Sequence, residues 1–262
     1  MKNNSLLEKA KKLKLHGMIA HWNEIGESSW IEGVIMWEEK ERVTRGLERR
    51  LHSSRLGRFK PLAHFDWSWP TKCDREAIEE LMQLEFMKES ANIILCGPNG
   101  VGKSMIAKNI AYQAVISGLS VLFVSATHML NELSSCDGES ALLRRIKHYV
   151  QPQLLVIDEI GYLSYSTRYA DLLFDIISRR YHDKPTIITT NKPFSEWNDI
   201  FPNASCVVSI IDRLVHHSEV IGIEGPSFRL KEATEQSEKR KKDRDQKRAQ
   251  LKTKTSKKDK TA

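Results

Sequence analysis

The sequence contains few cysteines and no long apolar run. Its four cysteines, Cys73, Cys96, Cys136 and Cys206, are widely spaced and form no CxxC pair. This pattern argues against a disulfide scaffold or a zinc site and is typical of reduced thiols in a cytoplasm. No stretch approaches the ~18 consecutive apolar residues that a bilayer span needs, and residues 1–15 lack the apolar segment of a secretory signal. We therefore expect a cytoplasmic protein without a membrane partner.

The net charge of +7 is unevenly distributed over the 262 residues. Residues 1–72 carry 14 basic and 9 acidic side chains, a net of +5, and residues 238–262 carry 12 and 4, a net of +8. The middle of the chain, with 15 basic and 21 acidic side chains, has a net charge of −6. Basic flanks indicate an anionic polymer as partner, most simply nucleic acid. The alternative is that the tail only increases solubility.

Residues 1–70 have the pattern of a small helical domain. A long helix is predicted from about Trp30 to Leu56, in which Val43, Leu47 and Leu51 recur on one face. Basic residues surround this stripe, and we interpret them as a DNA-binding or partner-binding surface rather than a merely solvated face. The predicted DNA contacts are Arg42, Arg45, Arg49, Arg50, Arg55, Arg58 and Lys60.

The segment 238–262 is predicted to be a disordered polybasic tail. Leu251 is its one aliphatic residue larger than alanine, so burial cannot offset the entropy of ordering the chain. Residues 71–237 remain as the domain that carries the chemistry.

A phosphate-binding loop lies near the start of this domain. A short β-branched run, 92–96, leads into Gly97–Ser104, which matches G-x-x-x-x-G-K-S, and a helical segment follows. In such a loop the glycines bring backbone amides close to phosphate oxygens, the lysine adds a positive charge, and the serine hydroxyl binds Mg²⁺. The predicted nucleotide contacts here are Gly97, Pro98, Asn99, Gly100, Val101, Gly102, Lys103, Ser104 and Met105.

Two further strands are predicted to end in polar residues. The run 153–157 ends in Asp158 and Glu159, and the run 185–190 ends in Asn191. We expect Asp158 to hold Mg²⁺ with Ser104, and Glu159 to orient or deprotonate an attacking water. Asn191 is expected to contact that water or the γ-phosphate. With the runs 121–124 and 220–223, these strands predict a parallel sheet with helices on both faces.

The chain resembles the AAA+ ATPases, and among them the IstB-like insertion-sequence helper ATPases, relatives of the DnaC helicase loader. The runs that carry the resemblance are 13–18, 97–104, 155–163, 170–174, 186–197, 211–217 and 227–232. The resemblance implies a five-stranded AAA+ core after an N-terminal helical domain. It also implies an ATP-dependent homo-oligomer that binds duplex DNA and recruits or stimulates a partner transposase.

The resemblance assigns roles to three residues. Asn191 matches the first sensor, Arg213 matches the arginine finger that reaches a neighbour's γ-phosphate, and Arg229, in Ser-Phe-Arg, matches a nucleotide-sensing arginine. Arg179 and Arg180 are rival candidates for the finger.

His216 and His217 suggest a metal, but without a third ligand at metal spacing we interpret them as ordinary helix residues.

Three other functions are consistent with parts of the sequence. A replicative helicase loader would bind a helicase and prefer single-stranded DNA. A nucleotide-sensing DNA-binding module would need no Glu159, and a small-molecule kinase would leave the basic flanks without a use. A DNA-dependent, Mg²⁺-requiring ATP hydrolase that helps transposition is the function we expect.

Overall fold

The computed structural model describes the backbone of residues 2–161, 166–202 and 205–258, and the side chains of residues 4–161, 166–202, 205–242 and 244. None of the helices in these ranges combines the length and apolar character that a membrane span requires. The helices are α1 (Lys2–Lys12), α2 (His16–Ala20), α3 (Trp22–Ile25), α4 (Ile31–Ser54), α5 (Arg75–Leu81), α6 (Phe86–Glu89), α7 (Lys103–Ile116), α8 (Ala126–Ser134), α9 (Glu139–Val150), α10 (Thr167–Arg180), α11 (Trp197–Ile200), α12 (Val207–His216) and α13 (Phe228–Lys258), with 3₁₀ turns at Leu62–His64 and Phe194–Glu196.

In the described part of the chain, five parallel strands form one sheet in the order β2-β3-β4-β1-β5. The strands are β1 (Asn92–Cys96), β2 (Val121–Ser125), β3 (Leu154–Ile160), β4 (Thr186–Thr190) and β5 (Ser218–Gly222). This confirms the predicted parallel α/β core, although β5 begins two residues earlier than the apolar pattern indicates. Since β3, β4 and β1 are neighbours and run in the same direction, the segments that follow them meet at one edge of the sheet.

Apolar side chains of successive strand residues enter two different layers. Ile94 belongs to a cluster with residues of α8, α10 and α12, whereas Ile93 and Leu95 belong to a cluster with residues of α5 and α7. This alternation is the period-two geometry of a strand that is covered on both faces. Each fully buried aliphatic side chain contributes about 1.5–3 kcal/mol, so the helices on both faces are held by burial.

The N-terminal helices form a small cluster of their own. Ala10, Ile31 and Ile35 are buried there, with Trp22 among the partly buried neighbours. The second half of α4 packs elsewhere: Leu47 and Leu51 contact the sheet cluster that contains α7, while Val43 is exposed. Packing therefore continues across residue 70, and a domain boundary at that position stays a prediction.

The C-terminal helix α13 leaves the body of the protein. Its first turns contact the nucleotide loop and the segment before α5, but every described side chain from Ala233 onward is exposed. The tail side chains that the structure describes, those of residues 238–242 and Arg244, thus have no tertiary packing, as the composition predicts. The helical backbone to Lys258 reflects the high helix propensity of Lys, Arg, Glu, Gln and Ala. An isolated helix of such residues is only marginally stable in water. Residues 259–262 of the predicted tail lie outside the described residues.

Candidate nucleotide-binding site

The predicted phosphate loop connects β1 to α7 at the carboxyl edge of the sheet. Gly100 and Gly102 both have positive φ angles, +83° and +108°. A Cβ atom at Gly100 would collide with the Ser227 side chain, and one at Gly102 would collide with the Phe65 ring. Only glycine therefore fits at these two positions, for reasons of backbone conformation and of space.

Lys103 lies inside the curve of this loop. Its Nζ donates to the carbonyl oxygens of Gly97, at 2.7 Å, and Pro98, at 2.8 Å. Burial lowers the pKa of Lys103 from its usual value, and Asp158 partly opposes this shift. The loop thus combines a partly desolvated ammonium with the N-terminus of α7, a combination that attracts anionic oxygens.

Asp158 is the centre of a hydrogen-bond network at the end of β3. Its Oδ1 accepts hydrogen bonds from Ser104 Oγ at 2.8 Å and from Thr189 Oγ1 at 2.5 Å. Thr189 Oγ1 in turn accepts from the backbone N–H of Glu159 at 2.9 Å. The network brings Ser104 and Asp158 together, and their binding of Mg²⁺ stays a prediction. Sequence reasoning missed Thr189, although its place one residue before the end of β4 was a usable signal.

Glu159 projects from an irregularity in β3. The pairing between β3 and β4 shifts register between Ile157 and Ile160, and Glu159 has a left-handed φ of +64°. In a regular strand Asp158 and Glu159 would face opposite sides of the sheet. Because the bulge redirects the backbone, Asp158 is buried while Glu159 lines the same cavity as Ser104.

Asn191 also reaches this cavity, from the end of β4. Its Oδ1 is buried without a hydrogen-bond partner among the described residues. Gly161 allows this close approach, because a Cβ there would lie 2.9 Å from Asn191 Oδ1. A buried acceptor left unpaired costs about 1–3 kcal/mol, so this oxygen retains an unused capacity to accept a hydrogen bond.

The cavity has a volume of about 430 Å³. Besides the loop, Glu159 and Asn191, it is lined by a group of aromatic side chains that the sequence did not assign to the site: Phe59, His64, Phe65, Trp69 and Phe228. Trp69 Nε1 donates to the Pro226 carbonyl at 2.8 Å and its ring packs on Phe228. The segment before α5 and the start of α13 thereby form an aromatic wall beside the phosphate loop, suited to a planar base.

The matching family model, described as an IstB-like ATP-binding protein, covers residues 8–236. This chain belongs to that family. Two relatives from insertion sequences, both named for ATP binding, support the assignment. The IS5376 protein of Geobacillus stearothermophilus is 32% identical over 243 residues, which cover 89% of this chain and 97% of the relative. The IS21 protein of Pseudomonas aeruginosa is 36% identical over 228 residues, covering 87% and 82%.

Among solved structures, the crystal structure of DnaI has a similar fold. It is 19% identical, with a TM-score of 0.52, over 64% of this chain and 89% of DnaI. The likeness shows that the two chains share a fold over the aligned region. The family description and the names of both relatives indicate ATP as the ligand.

The predicted arginines of this IstB-like chain have different environments. Arg229 lines the cavity at the start of α13. Arg213, on α12, is half-buried. Its guanidinium lies 4.4 Å from the Phe174 ring centroid and donates a hydrogen bond to Ser178 Oγ. Arg180 is only 1% exposed and donates to backbone carbonyls. Burial removes Arg180 as a residue that could reach a neighbour.

The seven predicted DNA contacts differ in their environments. Arg42 and Arg45 form ion pairs with glutamates one turn earlier on α4, at 2.6 and 3.0 Å. Arg50 turns inward and donates to the Val115 carbonyl, and Lys60 pairs with Glu232 beside the cavity. The remaining three are exposed: Arg49, Arg55 and Arg58.

Proposed function

We propose that this chain is an ATP hydrolase that assembles on duplex DNA and helps a partner transposase. The observation that carries the proposal is the joint placement of Ser104, Glu159 and Asn191 around one phosphate-loop cavity, with the buried Asp158 hydrogen-bonded to Ser104. Nucleotide binding alone does not require a redirected glutamate and an unpaired amide oxygen at that place. A water-positioning function accounts for both.

The residues present fit Mg²⁺ and ATP. Ser104 Oγ and Asp158 Oδ1, 2.8 Å apart, are hard oxygen ligands of the kind that Mg²⁺ prefers. When bound, Mg²⁺ would supply charge neutralisation at the phosphates. Lys103 and the loop amides bind the phosphate oxygens, and the aromatic wall with Trp69 and Phe228 accepts the base.

Glu159 is the group that orients a water for attack. Its carboxylate is on the cavity side of the β3 bulge, and its backbone is fixed by the hydrogen bond to Thr189. In the proposed mechanism Glu159 accepts a proton from the water while Asn191 Oδ1 accepts its second hydrogen bond. Such general base catalysis contributes about 10²–10⁴ in rate.

The proposal makes Arg213 a residue that acts on a neighbouring copy. Arg213 is absent from the described lining of its own nucleotide cavity. The same helix exposes Val208 and Val215, seven residues apart on one face. An exposed apolar face beside a half-buried arginine suits a contact with a second copy of the chain.

Duplex DNA and a transposase are the proposed partners. The relatives are proteins of insertion sequences, which are mobile DNA. In this chain the segments before and after the acidic middle are both basic. The exposed Arg49 lies in the last two turns of α4, and the exposed Arg55 and Arg58 come just after the helix ends. Phosphate contacts by such residues give binding that weakens as salt rises.

The test is ATP hydrolysis measured in a protein dilution series with duplex DNA, with single-stranded DNA and without DNA. Stimulation by duplex that disappears on dilution supports a DNA-assembled hydrolase. Stimulation by single strands alone supports the helicase-loader alternative. Hydrolysis independent of DNA and of protein concentration would contradict the proposal.

A binding measurement separates nucleotide recognition from assembly. Lys103→Ala removes the buried ammonium and is expected to abolish ATP binding in calorimetry. The matched control is Lys147→Ala, on the exposed side of α9, which is expected to leave binding unchanged. Equal ATP affinity for the two variants would show that the nucleotide binds elsewhere.

A further inference from the structure

Three histidines from two separate segments meet at the amino edge of the sheet. His182 follows α10, just before β4, and His216 and His217 lie at the end of α12, just before β5. One ring nitrogen from each lies within 4.8 Å of the others. The sequence offered only the adjacent pair and no third ligand at metal spacing. The tertiary structure supplies His182 as the third candidate ligand. The interpretation of His216 and His217 as ordinary helix residues was therefore wrong, because it assumed that no third histidine lies near them.

We propose that His182, His216 and His217 form a binding site for a divalent first-row transition ion such as Zn²⁺. Neutral imidazole is a preferred ligand of these ions, and three histidines with one open position are an established coordination set. Mg²⁺ prefers oxygen ligands, so this site and the nucleotide site would select different ions.

The rings are close enough to converge on one ion. The ring centroids of His216 and His217 are 4.4 Å apart, and the His182 centroid is 5.8 Å from that of His216 and 5.5 Å from that of His217. Tetrahedral coordination at about 2.0–2.1 Å requires nitrogens roughly 3.3 Å apart. All three side chains are exposed, so small rotations about their side-chain bonds are sterically free to close the remaining distance.

The backbone under these histidines is fixed by buried polar residues. Arg180 donates to the carbonyls of Pro152 and Pro185 and accepts, through its own carbonyl, from the N–H groups of Asp183 and Lys184. The turn that carries His182 is therefore held at both ends. His182 itself has a left-handed φ of +65°, a conformation that is uncommon for residues other than glycine and often marks a functional position.

Asn92 connects, through hydrogen bonds, the segment that contains His216 and His217 to the segment that contains His182. Its backbone N–H donates to the His217 carbonyl at 2.7 Å, and its side chain donates to the Leu214 carbonyl at 3.2 Å. Its Oδ1 accepts from the N–H of Thr186, at the start of β4, at 2.9 Å. Ligands on such rigid elements are preorganised, and less ordering is needed when an ion binds.

Tyr181 supplies the contact that orients one ligand. Its hydroxyl lies 3.1 Å from His216 Nδ1, which leaves Nε2 of that ring for the ion. Outer partners of this kind change metal affinity by about 10–100-fold when they are removed. The Tyr181 ring centroid also lies 6.0 Å from the Arg213 guanidinium, so the site is part of the surface that carries Arg213.

The experiment is a Zn²⁺ titration of the full-length protein, without an affinity tag or nucleotide, by calorimetry with Co²⁺ absorption spectra as a second probe. We expect one ion per chain and visible Co²⁺ bands of a four-coordinate site. His182→Ala and His217→Ala are each expected to raise the Kd at least tenfold, and Tyr181→Phe is expected to raise it about 10–100-fold.

His16→Ala, an exposed histidine in α2, is the matched control and should leave the Kd unchanged. Lys103→Ala should also keep Zn²⁺ binding, because the phosphate loop lies at the opposite edge of the sheet. Unfolding curves of each variant confirm that the fold is retained. The proposal is overturned if His182→Ala binds Zn²⁺ as tightly as the unaltered chain, or if the unaltered chain binds no ion at 100-fold excess over protein, since the rings would then make only aromatic contacts.

Discussion

The two edges of the sheet hold their polar side chains in different ways. At the carboxyl edge the functional groups hydrogen-bond to one another, with Asp158 accepting from both Ser104 and Thr189. At the amino edge the exposed histidines lie on backbone segments that the buried residues Arg180 and Asn92 hold in place through hydrogen bonds. The carboxyl edge has its polar side chains beside a cavity, and the amino edge has its histidines on the protein surface. The difference shows that a site can be rigid either through its own side chains or through the backbone beneath them.

The largest effect is expected at Arg213, which lies outside its own chain's cavity. Arg213→Ala is expected to lower the hydrolysis rate by about 10³–10⁵, the contribution of an arginine finger, while ATP binding is retained. Arg144→Ala, which removes an exposed arginine of α9, is the matched control, and Arg179→Ala, which removes an exposed arginine paired with Asp175 at 2.6 Å, tests the rival candidate.

A mixing experiment distinguishes action on a neighbour from action within one chain. Arg213→Ala retains the nucleotide site and Lys103→Ala retains the arginine, so a mixture of these two inactive variants should regain hydrolysis. If the mixture stays as inactive as its parts, Arg213 does not act across a subunit contact.

At the carboxyl edge, Glu159→Gln keeps the size of the side chain and removes the base. We expect the hydrolysis rate to fall about 10²–10⁴-fold with little change in ATP affinity, because the loop and Asp158 are untouched. Single-turnover hydrolysis with radiolabelled ATP measures this, with Glu89→Gln as a surface control. A normal rate in Glu159→Gln would mean that another group positions the water.

At the amino edge, Arg180→Met tests the backbone support. The change leaves the carbonyls of residues such as Pro152 and Pro185 without donors, and is expected to lower the free energy of unfolding by about 3–5 kcal/mol. Urea unfolding followed by circular dichroism gives the value. Arg179→Met, next to it but exposed, is expected to change stability by no more than about 1 kcal/mol. Equal stabilities would show that Arg180 contributes no more than a surface arginine.

The smallest effect is expected on the basic surface. Arg49→Ala should weaken duplex binding modestly and reduce the slope of log affinity against log salt by about 0.9, the value for one phosphate contact. Arg50 donates to the Val115 carbonyl, so Arg50→Ala should leave that slope unchanged. Fluorescence anisotropy over a salt series separates the two. The same slope for both variants would mean that neither residue contacts phosphate.

Much of the carboxyl edge could be predicted because its chemistry is contiguous in the chain. The run Gly97–Ser104 and the pair Asp158 and Glu159 each contain their residues within a few positions, and the short apolar strand before each group indicates where it lies. The bulge that turns Glu159 toward the cavity depends on pairing between β3 and β4, which no local pattern reveals. The aromatic wall was missed for the same reason, since Trp69 and Phe228 are far apart in sequence.

By itself, the sequence determined the parallel sheet, the phosphate loop, the acidic pair and the family, because strand periodicity and short motifs depend on neighbours along the chain. Only the tertiary structure decided that Arg180 is buried, that Arg50 faces inward and that His182 joins His216 and His217. These outcomes depend on which strands are adjacent and on where α10 and α12 end against them. Contacts between distant segments follow from sheet order and side-chain packing, and a linear pattern does not record either.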